Sequence, residues 1–205
     1  MHAIIELDVN GQHRSAGIPT HYTLLETLRY ALGLTGSKQG CDKGDGGACT
    51  VLLDGAPVLS CITPAWEAER RRVTTVEGIA APGALHPLQD AFEVTGGAQC
   101  GFCTPGILMS AYALLERNTA PTRAEIRDAL SGNLCRCTGY TKIIEAVELA
   151  AEALRGGERP SGGADERKRA GPGVTVPASE PAVRPNEVPT GHDAPQVPTE
   201  KVTEE

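Results

Sequence analysis

The stretch Gly40-Cys41-Asp42-Lys43-Gly44-Asp45-Gly46-Gly47-Ala48-Cys49-Thr50-Val51 decides the fold. Glycine permits the positive φ angles and close backbone approach with which a loop wraps its N–H groups around a small anionic object. Thiols set among such N–H groups suit a negatively charged metal–sulfur group. Plant-type iron–sulfur loops space their cysteines as C-x4-C-x2-C with a distant fourth, so counting from Cys41 places thiols at positions 46 and 49. Position 49 complies, position 46 is glycine, and Cys61 stands as the distant ligand. The competing reading is a flexible surface loop with incidental cysteines.

The flanks of this loop read as a small α+β unit. Ile5, Leu7 and Val9 alternate with Glu6 and Asp8, and Asn10-Gly11 follows as a tight hairpin turn before a second strand over 12–18. Thr23-Leu-Leu-Glu26 is a capping box, with Leu24, Leu25, Leu28 and Leu32 at helical spacing behind it. Beyond the loop, residues 51–53 and 58–59 flank Asp54-Gly55 as a second hairpin, and 73–76 is a further short strand. This unit ends near residue 78.

From about Leu85 the pattern turns helical. Residues 107–117 form an apolar helix that stops before Pro121. Thr122-Arg-Ala-Glu125 is another capping box, opening a short helix that ends at Gly132. Ile143, Ile144, Val147, Ala151 and Leu154 line one face of a last helix. The loops of this all-α unit hold Cys100-Gly-Phe-Cys103 and Cys135-Arg-Cys137. Four thiols in two close pairs suit either an iron–sulfur cluster or a tetrahedral zinc.

Composition narrows the classes. All seven aromatic residues precede position 141, and eight of the fifteen prolines follow position 155. A segment so poor in apolar surface cannot offset the entropy of ordering it, so 156–205 reads as a disordered tail. A net charge of −7 with no basic stripe speaks against a nucleic-acid partner. No run approaches the roughly 18 apolar residues of a membrane helix, and the acidic start is unlike a signal peptide. The expected location is therefore the cytoplasm. Seven cysteines, an odd number in a reducing compartment, then point to metal rather than disulfides. The five histidines show no ligand spacing, and Trp66, Leu108 and Met109 read as core or partner contacts. No dinucleotide fingerprint, phosphate-binding loop or nucleophile elbow is present.

Taken in order, Gln39-Gly-Cys41-Asp-Lys-Gly, Gly47-Ala-Cys49-Thr-Val, Ser60-Cys61, Gln99-Cys100-Gly-Phe-Cys103-Thr-Pro-Gly and Gly132-Asn-Leu-Cys135-Arg-Cys137-Thr-Gly-Tyr140 resemble the small two-cluster iron–sulfur subunit of the xanthine dehydrogenase (molybdenum hydroxylase) family. The resemblance spans residues 3–154 and includes small chains like those of carbon monoxide dehydrogenase and 4-hydroxybenzoyl-CoA reductase. It implies a β-grasp, ferredoxin-like [2Fe–2S] domain over 1–78 and an all-α, four-helix [2Fe–2S] domain over 79–155. It implies a molybdopterin-binding large subunit and an FAD-binding medium subunit as partners, with electrons passing from molybdenum through the helical-domain cluster, then the first cluster, to flavin. It places Gln99 and Cys137 against the pterin, Cys137 serving also as a ligand of the second cluster with Cys100, Cys103 and Cys135. The chain would then be the electron-transfer subunit of a molybdenum oxidoreductase, a heterotrimer whose substrate is chosen elsewhere.

One departure stands out. Gly46 occupies the position of a family cluster cysteine, leaving Cys41, Cys49 and Cys61 as the thiols in view. Three outcomes stay open: an oxygen ligand from Asp42, Asp45 or water; a labile or absent cluster; or an isolated residue change in an otherwise ordinary protein. A free-standing ferredoxin-like carrier and a zinc-stabilised interaction module are the other function classes.

Overall fold

A computed structural model describes residues 1–81 and 83–156. The expected tail therefore lies outside the described residues, apart from Gly156, which closes the last helix.

Strand β1 (His2–Val9) turns at Asn10-Gly11, both at positive φ, into antiparallel β2 (Gln12–Pro19), with Val9 opposite Gln12. Ile5, Leu7 and Val9 are buried while Glu6 is exposed, as the alternation predicts. Thr23 then caps helix α1 (Leu24–Glu26): its hydroxyl accepts from the Glu26 N–H at 3.2 Å, and the Glu26 carboxylate accepts from the Thr23 N–H at 2.8 Å. The helix widens into a π-type turn over Thr27–Ala31, in which the Leu32 N–H reaches back to the Thr27 carbonyl. The extra residue per turn shifts the register, so Leu32 is only half-buried whereas Leu24, Leu25 and Leu28 are sealed.

The cysteine loop follows, and then β3 (Thr50–Leu53) and β4 (Ala56–Leu59), joined by Asp54-Gly55, again at positive φ. Strand β5 (Arg72–Thr74) runs antiparallel to β3 and parallel to β1, giving a mixed sheet of order β2-β1-β5-β3-β4. Its core includes Leu7, Val9, Leu24, Leu28, Val51 and Val73. Fully burying each such side chain stabilises the fold by about 1.5–3 kcal/mol. Trp66, expected in a core or a contact, is 64% exposed.

Helix α2 (Pro87–Thr95) starts at His86, whose Nδ1 accepts from the Leu88 N–H at 3.1 Å. Burial holds the His86 imidazole below its ordinary pKa, which keeps that nitrogen free to accept. Helix α3 (Thr104–Arg117) begins three residues earlier than its apolar run, because Pro105 suits a first turn. Helix α4 (Arg123–Ala129) carries the expected Thr122–Glu125 capping box and stops before Gly132. In α5 (Thr141–Gly156) Ile143, Ile144, Val147 and Ala151 are buried and Leu154 emerges to solvent.

Strand β3 is the wall between the two halves. All four of its residues are buried. Val51 and Leu53 join the core of the sheet, while Leu52 joins Leu88, Phe92, Ile107, Met109, Ile126 and Ile143 in the helical core. A strand buried on both faces loses the polar alternation of an open sheet, and residues 50–53 show none.

Candidate metal centres

The first group of thiols is built around β3. Cys49 immediately precedes the strand and Cys61 follows β4, and both are buried against Leu25 and Leu59. Burial, together with the hydrogen bond to Cys49 and the nearby Cys49 and Cys41 thiols, pushes the Cys61 thiol up to about 12. Cys41 is half-buried, less covered than the other two. Backbone hydrogen bonding from Lys43 first, then from Gly46, with smaller contributions from Asp45 and Gly44, holds the Cys41 thiol below its ordinary pKa. The Gly46 N–H lies 3.3 Å from Cys41 Sγ. The loop thus forms the N–H cradle expected from its glycines.

The second group sits in two loops, one before α3 and one between α4 and α5. Cys103 and Cys135 are half-buried, Cys100 and Cys137 exposed. The Cys103 and Cys135 thiols act on one another, as do those of Cys137 and Cys100. Burial first, then the Cys135 partner, pushes the Cys103 thiol up to about 12. The Cys100 thiol likewise raises that of Cys137. Burial also opposes ionisation of Cys135, but the hydroxyl and N–H of Thr138, the Cys137 N–H and the Cys103 thiol outweigh it and lower its pKa. The Thr138 hydroxyl lies 3.2 Å from Cys135 Sγ. The Tyr140 hydroxyl locks this loop by accepting from the Cys135 N–H at 2.8 Å and donating to the Asn133 carbonyl at 3.0 Å.

Among the described residues, no three His, Cys, Asp or Glu side chains already converge as a single-ion site. Four thiols in two close pairs fit a two-iron cluster, one pair to each iron, in the second group. The first group has a complete pair, Cys49 with Cys61, and a lone Cys41 facing Gly46. It falls one thiol short.

The two loops touch. The Leu134 N–H donates to the Gly46 carbonyl at 2.9 Å. Asn133, buried, donates to the Gly47 carbonyl at 2.9 Å and to the Thr50 hydroxyl at 3.1 Å, and accepts from the Ser110 hydroxyl at 2.6 Å. A Cβ on Gly47 would lie 2.2 Å from the Gly132 carbonyl oxygen, and one on Gly106 2.0 Å from that of Gly47, so both glycines are demanded by backbone contact. On the other side, the Phe102 ring lies where a Cβ on Gly40 would meet it at 3.3 Å. Sequence reading missed Asn133, Thr138 and the Tyr140 hydroxyl as working groups. Their signal was position alone, beside Cys135 and Cys137.

Gln99 is exposed next to Cys100. The described residues contain no helix long and apolar enough to cross a membrane.

The family described as "[2Fe-2S] binding domain" matches residues 75–148. Nicotine 6-hydroxylase small subunit from Paenarthrobacter nicotinovorans is 52% identical over 143 residues, covering 70% of this chain and 86% of that protein. Nicotinate dehydrogenase small FeS subunit from Eubacterium barkeri is 47% identical over 148 residues, covering 72% and 94%. The crystal structure of quinoline 2-oxidoreductase from Pseudomonas putida 86 contains a chain that superposes with a TM-score of 0.73 at 46% identity, covering 77% of this chain and 98% of that one.

Proposed function

The chain belongs to the iron–sulfur subunits of molybdenum-containing hydroxylases and dehydrogenases, and on that premise we propose that it holds two [2Fe–2S] clusters and relays electrons between a molybdopterin-binding large subunit and an FAD-binding medium subunit. Cys100, Cys103, Cys135 and Cys137 hold the cluster of the helical half (79–155, four helices). Cys41, Cys49 and Cys61 hold that of the β-grasp half (1–78). Bound clusters supply one-electron carriers; the chain supplies their position, their shielding and the N–H groups around their sulfurs.

The observation that carries this reading is the pairing of thiols, Cys103 with Cys135 and Cys100 with Cys137, across two loops far apart in sequence. The Thr104 hydroxyl supports it: next after Cys103, it is buried without a hydrogen-bond partner, as a group awaiting an acceptor would be. Cys137 and Gln99 are both exposed, Gln99 next to Cys100, which suits contact with a pterin on the large subunit. The Cys137 thiol is close enough to that of Cys100 for the two to influence one another, so a pterin against Cys137 would stand beside the second group. From there the Leu134 N–H to Gly46 carbonyl bond couples the two loops through backbone.

The obligate-subunit reading predicts co-purification with two larger chains and a brown sample containing iron and acid-labile sulfide. Cys135→Ser should cost the sample one cluster and block substrate-driven flavin reduction in the assembled enzyme. A stably folded, anaerobically prepared sample with neither iron nor sulfide would end this reading.

A further inference from the structure

In the loop between α4 and α5 a hydroxyl stands against one of the four thiols of the second group. Thr138 Oγ1 lies 3.2 Å from Cys135 Sγ and 3.2 Å from the Tyr140 backbone nitrogen. The amide can only donate, so that contact takes up an acceptor position of the hydroxyl and leaves its single hydrogen for the sulfur. A cysteine that ligates metal has given up its proton and can only accept. In a loaded site the direction is therefore fixed: Thr138 donates and Cys135 accepts.

The loop holds the hydroxyl in that place. Gly139 stands at φ +63° in a turn that brings the Tyr140 N–H back to Thr138. Tyr140 itself is at φ +67°, uncommon for so large a residue and kept only where the surroundings enforce it. The Tyr140 hydroxyl enforces it here, through the Cys135 N–H at 2.8 Å and the Asn133 carbonyl at 3.0 Å. Thr138 and Cys135 are both half-buried, and a hydrogen bond shielded in this way acts more strongly than one in open water.

A hydrogen bond to a ligating sulfur draws charge from it, which favours the more negative, reduced form of an iron–sulfur cluster and raises its potential. Resting on the two-cluster reading above, we infer that Thr138 is a positioning residue of the second group, whose hydroxyl donates to the Cys135 sulfur and makes the cluster held there easier to reduce. One electron enters on reduction, and no covalent bond of Thr138 forms or breaks. Its hydroxyl keeps the proton, and the hydrogen bond is stronger to the reduced form than to the oxidised one. On that reading the residue sets how readily this chain draws electrons from the large subunit.

The test uses the full chain in its assembled complex, titrated anaerobically with dithionite and followed by EPR at set potentials. The signal that Cys135→Ser abolishes or alters identifies the second cluster. In Thr138→Val, which keeps the shape and loses the hydroxyl, that signal should appear at lower potential, with iron and sulfide content unchanged. Thr138→Ser, which restores the donor, should return it to the parental potential. An unchanged or raised potential in Thr138→Val would overturn the proposal, as would a fall in Thr138→Ser as large as that in Thr138→Val. So would an equal shift of the other cluster's signal. Loss of the second signal from Thr138→Val would also overturn it, by making Thr138 a residue of structure alone. A parent sample without iron and sulfide is a different failure: it removes the two-cluster reading itself.

Discussion

Gly46 and Gly47 are neighbours with opposite reasons for being glycine. Gly47 sits at φ +72°, and a Cβ there would stand 2.2 Å from the Gly132 carbonyl oxygen and 2.6 Å from Asn133 Nδ2. Gly46 has ordinary φ and room. Gly47→Ala should therefore cost at least about 3 kcal/mol, through backbone strain and separation of the two loops. Gly46→Ala should change fold stability by no more than about 0.5–1 kcal/mol. Urea unfolding of the two variants at equal concentration reads the contrast directly. Comparable losses in both would mean that the loops do not approach as described.

Local elements carry their own stabilising groups, and these define separate predictions. Thr122 caps α4 by accepting from the Glu125 N–H at 3.3 Å, so Thr122→Ala should lower stability by about 1 kcal/mol, measured as a shift of the urea midpoint. The β3–β4 hairpin is tied to the segment around β5 by Asp54, which accepts from Arg71 Nε at 2.7 Å and from the Arg72 N–H at 3.0 Å. The Arg71 hydrogen bond first, then that of the Arg72 backbone, lowers the Asp54 pKa. A carboxyl with a lowered folded pKa stabilises the fold above the ordinary carboxylate range, about pH 4, and loses that contribution as pH falls through the folded value. Asp54→Asn keeps the turn, since asparagine tolerates positive φ, but should flatten the acid side of the stability profile. An unchanged slope from neutral pH downward would show that the pair contributes nothing, as many exposed pairs do.

At the scale of the whole molecule, Asn133 is the bolt between halves. It is buried, and its three side-chain hydrogen bonds reach Gly47 and Thr50 in the first half and Ser110 in α3. Asn133→Ala would leave the buried Ser110 hydroxyl without its acceptor, and a loss of about 2–4 kcal/mol is expected in urea unfolding. The variant should also weaken the approach of the two cysteine loops, slowing electron passage between the clusters at unchanged iron content.

How much of this was legible depends on sequence distance. The Asn10-Gly11 and Asp54-Gly55 turns, the Thr23 and Thr122 capping boxes and the alternation of β1 are satisfied by residues within a few positions, so the sequence alone determined them. The π-type turn after α1 was not legible, since the packing around α1 decides it. Least legible was the joint between loops. Asn133 meets Gly47 across 86 positions, and only the packing of α3 onto β3 brings them together. Local hydrogen-bond chemistry thus settled the elements, whereas the meeting of Cys103 with Cys135 and the contact that joins the two cysteine loops came from tertiary structure, because no short-range rule fixes which distant groups will meet.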